Sequence, residues 1–148
     1  MKDVSIGPAS REDLPEIMEL LEDGGLPPDG LEGHLPTILV ARMRGRVVGS
    51  AALELYGAAA LLRSVAVRRD LRGTGLGSRL TEAALQLSRE LGAAEAYLLT
   101  ETADLFFPRF GFRKVPRSQV PSSVRSSVEF TSACPAGARA MALDLRGG

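Results

Sequence analysis

Residues 72–78 read Arg-Gly-Thr-Gly-Leu-Gly-Ser, three glycines at alternate positions directly behind an arginine. The apolar run "LLRSVAV" precedes them and an amphipathic run from Leu76 follows, so the glycines stand where a strand hands over to a helix. The first amides of a helix have no intrahelical partner, and with the macrodipole they present positive character ahead of the helix. That chemistry suits an anion, above all phosphate or pyrophosphate, and glycine lets the backbone approach it without an intervening Cβ. Arg72 adds a formal charge at the rim, with Arg68, Arg69 and Arg79 close in sequence.

Spacing separates the phosphate-binding loops. A Walker A loop needs G-x-x-x-x-G-K-[ST], and no lysine occurs between Lys2 and Lys114. A dinucleotide fingerprint needs G-x-G-x-x-G in an opening strand–helix–strand unit, whereas this turn is G-x-G-x-G and follows several strands. Glu95 stands about 20 residues on, where that fingerprint wants an acid, but it begins a strand rather than ending one. A helix start that merely carries surface arginines and holds nothing stays open as an alternative.

The elements that must position this turn can be read outward from it. "DVSIGPA" predicts a first strand, and Ser10 with Asp13 forms a capping-box pattern before Leu14, Ile17, Met18 and Leu21 at helical spacing. Gly24 and Gly25 close that helix, and "LPPDGLEGHLP" reads as a loop with room for one helical turn. "TILVARM" and "RVVGSAALELY" flank Arg44-Gly45 as a hairpin, and "AALLRSVAV" extends it into an antiparallel meander. Leu76, Leu80, Ala83, Ala84, Leu87 and Leu91 mark a helix ending at Gly92. "AEAYLLT" then follows a crossover, which predicts parallel pairing with residues 62–67. A short helix around residues 103–110 ends at Gly111 before "FRKV". "PRSQVPSSVRSSVEF" reads as a surface excursion, and "ARAMALDL" as the strand that closes the sheet. The prediction is an α/β chain: a mixed, mostly antiparallel sheet of six to seven strands with helices on both faces, in a single domain over residues 1–148.

Bulk composition narrows the function classes. A chain of 148 residues with 45% hydrophobic content supports one core. Lys and Arg total 18 against 18 Asp and Glu, so no global field recruits nucleic acid or a membrane surface. Its apolar runs are too short to span a bilayer, and "MKDVSIGPASRED" does not read as a signal peptide, so a cytoplasmic protein is expected. One cysteine, Cys134, excludes an internal disulfide and suits a reducing compartment. With one histidine beside it, no metal site is expected.

The whole stretch "V-A-V-x5-G-x-G-x-G", with Arg72 before the first glycine, resembles the R/Q-x-x-G-x-G/A motif of the GNAT N-acetyltransferases. Arg72, Gly75 and Gly77 occupy its defining positions, and "TADLFFPRFGF" resembles the family's second signature. "LLRSVAV", "LLTETADLFFPRFGF" and "SSVEFTSACPAGARAM" are also similar to the acetyltransferases of arsenic-resistance operons and, more distantly, to amino-acid acetylases. The resemblance implies a sheet splayed between two central strands and acetyl-CoA as co-substrate. It implies pantetheine pairing with the backbone of Val65, Ala66 and Val67, and pyrophosphate on the amides of Arg72, Gly73, Thr74, Gly75, Leu76, Gly77 and Ser78. The Val65 N–H would polarise the acetyl carbonyl as an oxyanion donor. The partner implied is a small amine, an amino acid or an amino-acid-like toxicant, with a homodimer left open. A non-catalytic acyl-CoA-binding module and a protein N-acetyltransferase are the competing readings.

Two departures from the family pattern matter. Phe106 and Phe107 stand where many members carry a tyrosine that protonates the departing thiolate, and residues 58–62 hold no carboxylate. Candidate bases therefore lie elsewhere, at Glu54 and Glu101, with Glu129 a further acid. Glu54 could instead pair with Arg63 across the hairpin, and Glu101 could cap the next helix. Arg63, within an apolar strand, is read either as a ligand for a substrate carboxylate or as one half of an ion pair. It stands two positions before Val65, which would put both on one face of a regular strand. Glu129 is a ligand or a surface acid, and His34 an amine-site residue or part of a loop surface. Cys134 reads as a packed small residue.

Overall fold

The computed structural model describes residues 3–101, 105–133 and 137–146. Among these residues seven strands form one sheet in the order β1-β2-β3-β4-β5-β7-β6. They are β1 (Val4–Pro8), β2 (Ile38–Met43), β3 (Arg46–Tyr56), β4 (Ala59–Val67), β5 (Glu95–Thr100), β6 (Arg113–Val115) and β7 (Arg139–Asp144). The helices α1 (Leu14–Asp23), α2 (Leu76–Glu90) and the short α3 (Ser122–Arg125) complete the elements used below. The residues group into two compact units, Met1–Leu53 with Ser64–Ala84 and Glu54–Arg63 with Leu85–Gly148.

In the first unit, α1 is only ten residues long, shorter than an isolated helix needs to be stable in water. Burial of one face supplies what length does not. Ile17, Leu20 and Leu21, at helical spacing, pack with Val40, Val47, Ala52 and Ala66 in one core cluster. At the helix start Asp13 Oδ2 accepts from the Ser10 backbone N–H at 2.7 Å and from its hydroxyl at 3.2 Å. Arg42 closes a fork on the same carboxylate at 2.8 and 2.5 Å, and this hydrogen bonding holds the Asp13 pKa down at about 2. Beside Arg42 the β2–β3 register shifts: Ala41 pairs with Gly49 and Arg42 with Val47, so β3 carries one extra residue, Val48, at this point. The β2–β3 hairpin turns through Arg44 and Gly45, both at positive φ (53° and 78°), the backbone a two-residue turn requires. Gly49 on β3 is required by space. A Cβ there would stand 2.7 Å from Leu80 Cδ1 and 3.2 Å from the Ala66 carbonyl oxygen.

In the second unit, β4 pairs parallel to β5, but at Ala59–Leu61 against Glu95–Tyr97 rather than at the expected residues 62–67. The crossover returns early because the Ala94 N–H reaches the Ala58 carbonyl at 2.7 Å and fixes the register from the loop side. Strand β7 does not close the sheet at its edge. It lies between β5 and β6, antiparallel to both, and β6 takes the edge. Composition explains the order. The buried Ala140, Met141 and Ala142 of β7 want two neighbours, whereas Arg113 and Lys114 of β6 are exposed charges that protect an edge.

The Ser/Pro-rich stretch is not a surface excursion. It turns through residues 117–119 and α3, and sinks Val120 and Val124 into the core with Ala59, Leu61, Tyr97, Ala140 and Ala142. Prolines and serines end each short turn, which hid the apolar pair from a reading by composition. Among the described residues no helix is long and apolar enough to cross a membrane.

Candidate active site

Strand β4 ends at Val67, one short turn intervenes, and α2 starts at Leu76. Gly73 and Gly75 both take left-handed φ, 80° and 90°, which a side chain would strain, and a Cβ built on either meets nothing within 4 Å. The turn is therefore open as well as glycine-dependent. The Arg79 N–H, bonded to the Gly75 carbonyl at 3.1 Å, is the first amide of the helix with a partner among the described residues. Among the described residues, no hydrogen bond takes the six amides from Gly73 to Ser78. These amides stand where the glycine spacing predicts an anion site.

The arginines beside it are not loose. Arg72 Nε donates to the Val67 carbonyl at 3.0 Å, and its Nη2 donates to Asp23 Oδ2 at 3.1 Å. Arg69 Nη2 donates to the other oxygen of Asp23 at 2.9 Å. Thr74 closes the turn from within, its hydroxyl on the Leu71 carbonyl at 2.5 Å. Arg68 is occupied locally by Asp70, at 2.7 Å. Asp23 carries no signal in the sequence, since an acid ending a helix before two glycines looks like any solvated residue.

The second unit holds a different kind of cluster. Arg63 has no exposed side-chain surface, yet lies 2.8 Å from Glu54 (Nη1 to Oε2) and 3.3 Å from Glu129 (Nε to Oε2). Tyr56 donates its hydroxyl to the other Glu54 oxygen. Burial, then that hydrogen bond to Glu54, pushes the Tyr56 pKa up to about 12, so the phenol stays protonated. The buried Ser127 bonds Tyr56 through its side chain and accepts the Glu129 N–H at 3.2 Å. Glu129 opens a wide turn, Glu129–Ala133, with i to i+5 geometry. Tyr56 and Ser127 were not legible as members, because a tyrosine at a strand end and a serine in a polar run carry no signature.

A family model described as an acetyltransferase (GNAT) domain matches residues 34–114, more than half of the chain. The chain belongs to the GNAT acetyltransferase domain family. It is 32% identical over 92 residues to an uncharacterized N-acetyltransferase of Chlorobaculum tepidum, covering 62% of this chain and 59% of that protein. Over 81 residues it is 33% identical to an amino-acid acetyltransferase of Mycobacterium tuberculosis, covering 54% of this chain and 46% of the other. The chain thus spans about half the length of the curated relatives it matches. A solved Mycobacterium tuberculosis structure in complex with CoA is similar over 95% of this chain and 98% of that one, at 25% identity and a TM-score of 0.81.

The matched GNAT segment contains the cradle, Glu54, Arg63 and Glu101, starts at His34, and ends before Glu129. Val65, half-buried, follows Ser64, whose φ of 59° is left-handed in the middle of β4. That single residue interrupts the pleat, so the regular alternation assumed for Arg63 and Val65 does not run through it. The Ser64 carbonyl is held by the Ser50 hydroxyl at 2.8 Å. Ala66 is buried and Val67 half-buried. Glu101 is exposed, and His34 is half-buried at a kink in the turn Leu31–Thr37. In the second GNAT signature, Phe107 is buried edge-on against Phe106 and Phe112, at 5.1 and 5.9 Å between ring centres. Residues 102–104 of that signature, and Cys134, lie outside the described residues. No group of three or more His, Cys, Asp or Glu able to hold a metal ion occurs among the described residues.

Proposed function

We propose that the chain is a cytoplasmic, single-domain enzyme that transfers the acetyl group of acetyl-CoA directly to the amine of a small acceptor. The observation that carries this reading is the row of six open amides behind β4, inside the segment that matches the GNAT family. Pyrophosphate oxygens take the amides of residues 73–78, with Arg72 at the rim, while the pantetheine arm pairs with Val65, Ala66 and Val67. The neutral amine attacks the thioester carbon, the Val65 N–H stabilises the oxygen that becomes negative, and the tetrahedral intermediate expels the CoA thiolate. A thiol ionises near pH 8.5, so the thiolate leaves without the tyrosine that Phe106 and Phe107 replace. The proton lost from the amine goes to a base, for which Glu54 and Glu101 are the candidates.

The acceptor is an amino acid or an analogue that keeps the α-carboxylate, with Arg63, Glu129 and His34 as candidate ligands. Similarity to an amino-acid acetyltransferase supports that class. Arg63 already holds Glu54 and Glu129, so an acceptor carboxylate gains it only by displacing one of them. Resemblance to the arsenic-resistance acetyltransferases points further, to an amino-acid-like toxicant. A homodimer is compatible with this reading.

Incubation with acetyl-CoA and a panel of amines, read by mass spectrometry, tests it. An acetylated amino acid is the expected product; acetylation only of decarboxylated amines or of protein termini overturns the acceptor class. One observation favours a second reading, an acyl-CoA-binding module without transfer: both oxygens of Glu54 are occupied, by Arg63 and Tyr56. Binding of CoA with no thiol release from acetyl-CoA across the panel would establish that alternative.

A further inference from the structure

We propose that Asp23 is a built-in competitor for the ligand's phosphate groups, occupying in the free protein the guanidinium faces that a phosphate would take. This rests on the reading that residues 72–78 hold CoA. Asp23 is the last residue of α1, followed by Gly24 and Gly25. A carboxylate at the C-terminal end of a helix opposes the macrodipole, and no basic residue occupies that last turn to offset it. Helix stability therefore does not explain the acid. Its contacts do: one oxygen lies 2.9 Å from Arg69 Nη2 and the other 3.1 Å from Arg72 Nη2. A single carboxylate thus spans two arginines in the way a phosphate with two free oxygens can.

All three side chains are well exposed: Asp23 at 43%, Arg69 at 74% and Arg72 at 45%. Exposed ion pairs contribute little, so a phosphate arriving on the open amides displaces Asp23 readily. The displaced carboxylate then faces the bound anion as a like charge, which weakens the complex. In a transferase this favours release of the product CoA, which carries the same phosphates as the substrate. Arg72 stays oriented throughout, because its Nε remains on the Val67 carbonyl at 3.0 Å.

Calorimetric binding of CoA, dephospho-CoA and pantetheine to wild type, Asp23→Asn and Asp23→Glu tests this. Asp23→Asn should bind CoA about two- to fivefold more tightly, by the size of an exposed charge pair, with the gain shrinking at high salt. Pantetheine, which lacks phosphate, should bind all three proteins equally, and Asp23→Glu should stay near wild type. Retention of the gain with dephospho-CoA assigns it to the pyrophosphate; loss assigns it to the 3′-phosphate, and either supports the proposal. Equal or weaker CoA binding by a folded Asp23→Asn protein, or an equal gain for pantetheine, overturns it. Failure of the wild type to bind CoA at all would instead refute the cradle reading on which the proposal stands.

Discussion

The turn at residues 72–78 and the cluster around Arg63 both put arginine beside carboxylate, but under opposite solvation. At the turn, Arg69 and Arg72 share Asp23 in water, while the neighbouring amides have no partner among the described residues. In the cluster, Arg63, Glu54 and Glu129 are almost wholly removed from water, with Tyr56 and Ser127 bonded into the same network. Exposed pairs exchange partners at little cost, and open amides await a ligand. Buried pairs do not, because an ion left without its partner in a dry interior costs several kcal/mol. In the proposed reading the turn therefore takes the ligand's phosphates at little cost, whereas the cluster admits an acceptor carboxylate only by giving up one of its own ion pairs.

Replacement of the buried cation should give the largest effect. Arg63→Ala leaves two carboxylates buried without it and should lower stability by about 3–5 kcal/mol, read from denaturant unfolding. If stability is unchanged and only the acceptor KM rises, the cluster is a substrate site and the contrast with the turn collapses.

At the turn the effect should appear in binding instead. Gly75→Val adds a branched Cβ at φ 90°, where the ligand approaches. Loss of two charge-assisted amide contacts corresponds to about a hundredfold weaker CoA binding. A folded Gly75→Val protein with wild-type CoA affinity would falsify the assignment of the anion to this turn.

Asp13 and Arg42 sharpen the comparison from a third position, a mostly buried acid paired with a partly exposed arginine. The Asp13 pKa falls from its ordinary 3.8 to about 2 in the folded chain, first through the hydrogen bonds from Arg42. A depressed acid contributes stability above its unfolded pKa and loses it as pH falls through the folded one. Stability should therefore drop by about 1–2 kcal/mol between pH 4 and pH 2 on this account. Arg42→Met should flatten that part of the profile; an unchanged acid slope would separate Asp13 from Arg42.

How much of this was legible follows from what each feature depends on. The glycine turn, the capped first helix and the two-residue hairpin are set by nearby residues, and pattern alone located them. Arg63 could be singled out because an arginine in "LLRSVAV" contradicts its neighbours. Its partners were less visible: Glu54 lies on the adjoining strand, whereas Tyr56, Ser127 and Glu129 meet through tertiary packing. Strand order failed for the same reason. β7 sits between β5 and β6, and chain order says nothing of such an insertion. The left-handed Ser64 left no trace, since serine is not a residue that demands positive φ.

An amide NMR titration of the wild-type protein with CoA tests the central claim most directly, because it reads the amides on which the cradle rests. The largest downfield shifts are expected at the six amides of residues 73–78, saturating with CoA and absent with pantetheine. Saturable CoA binding that leaves those six amides unmoved would contradict it.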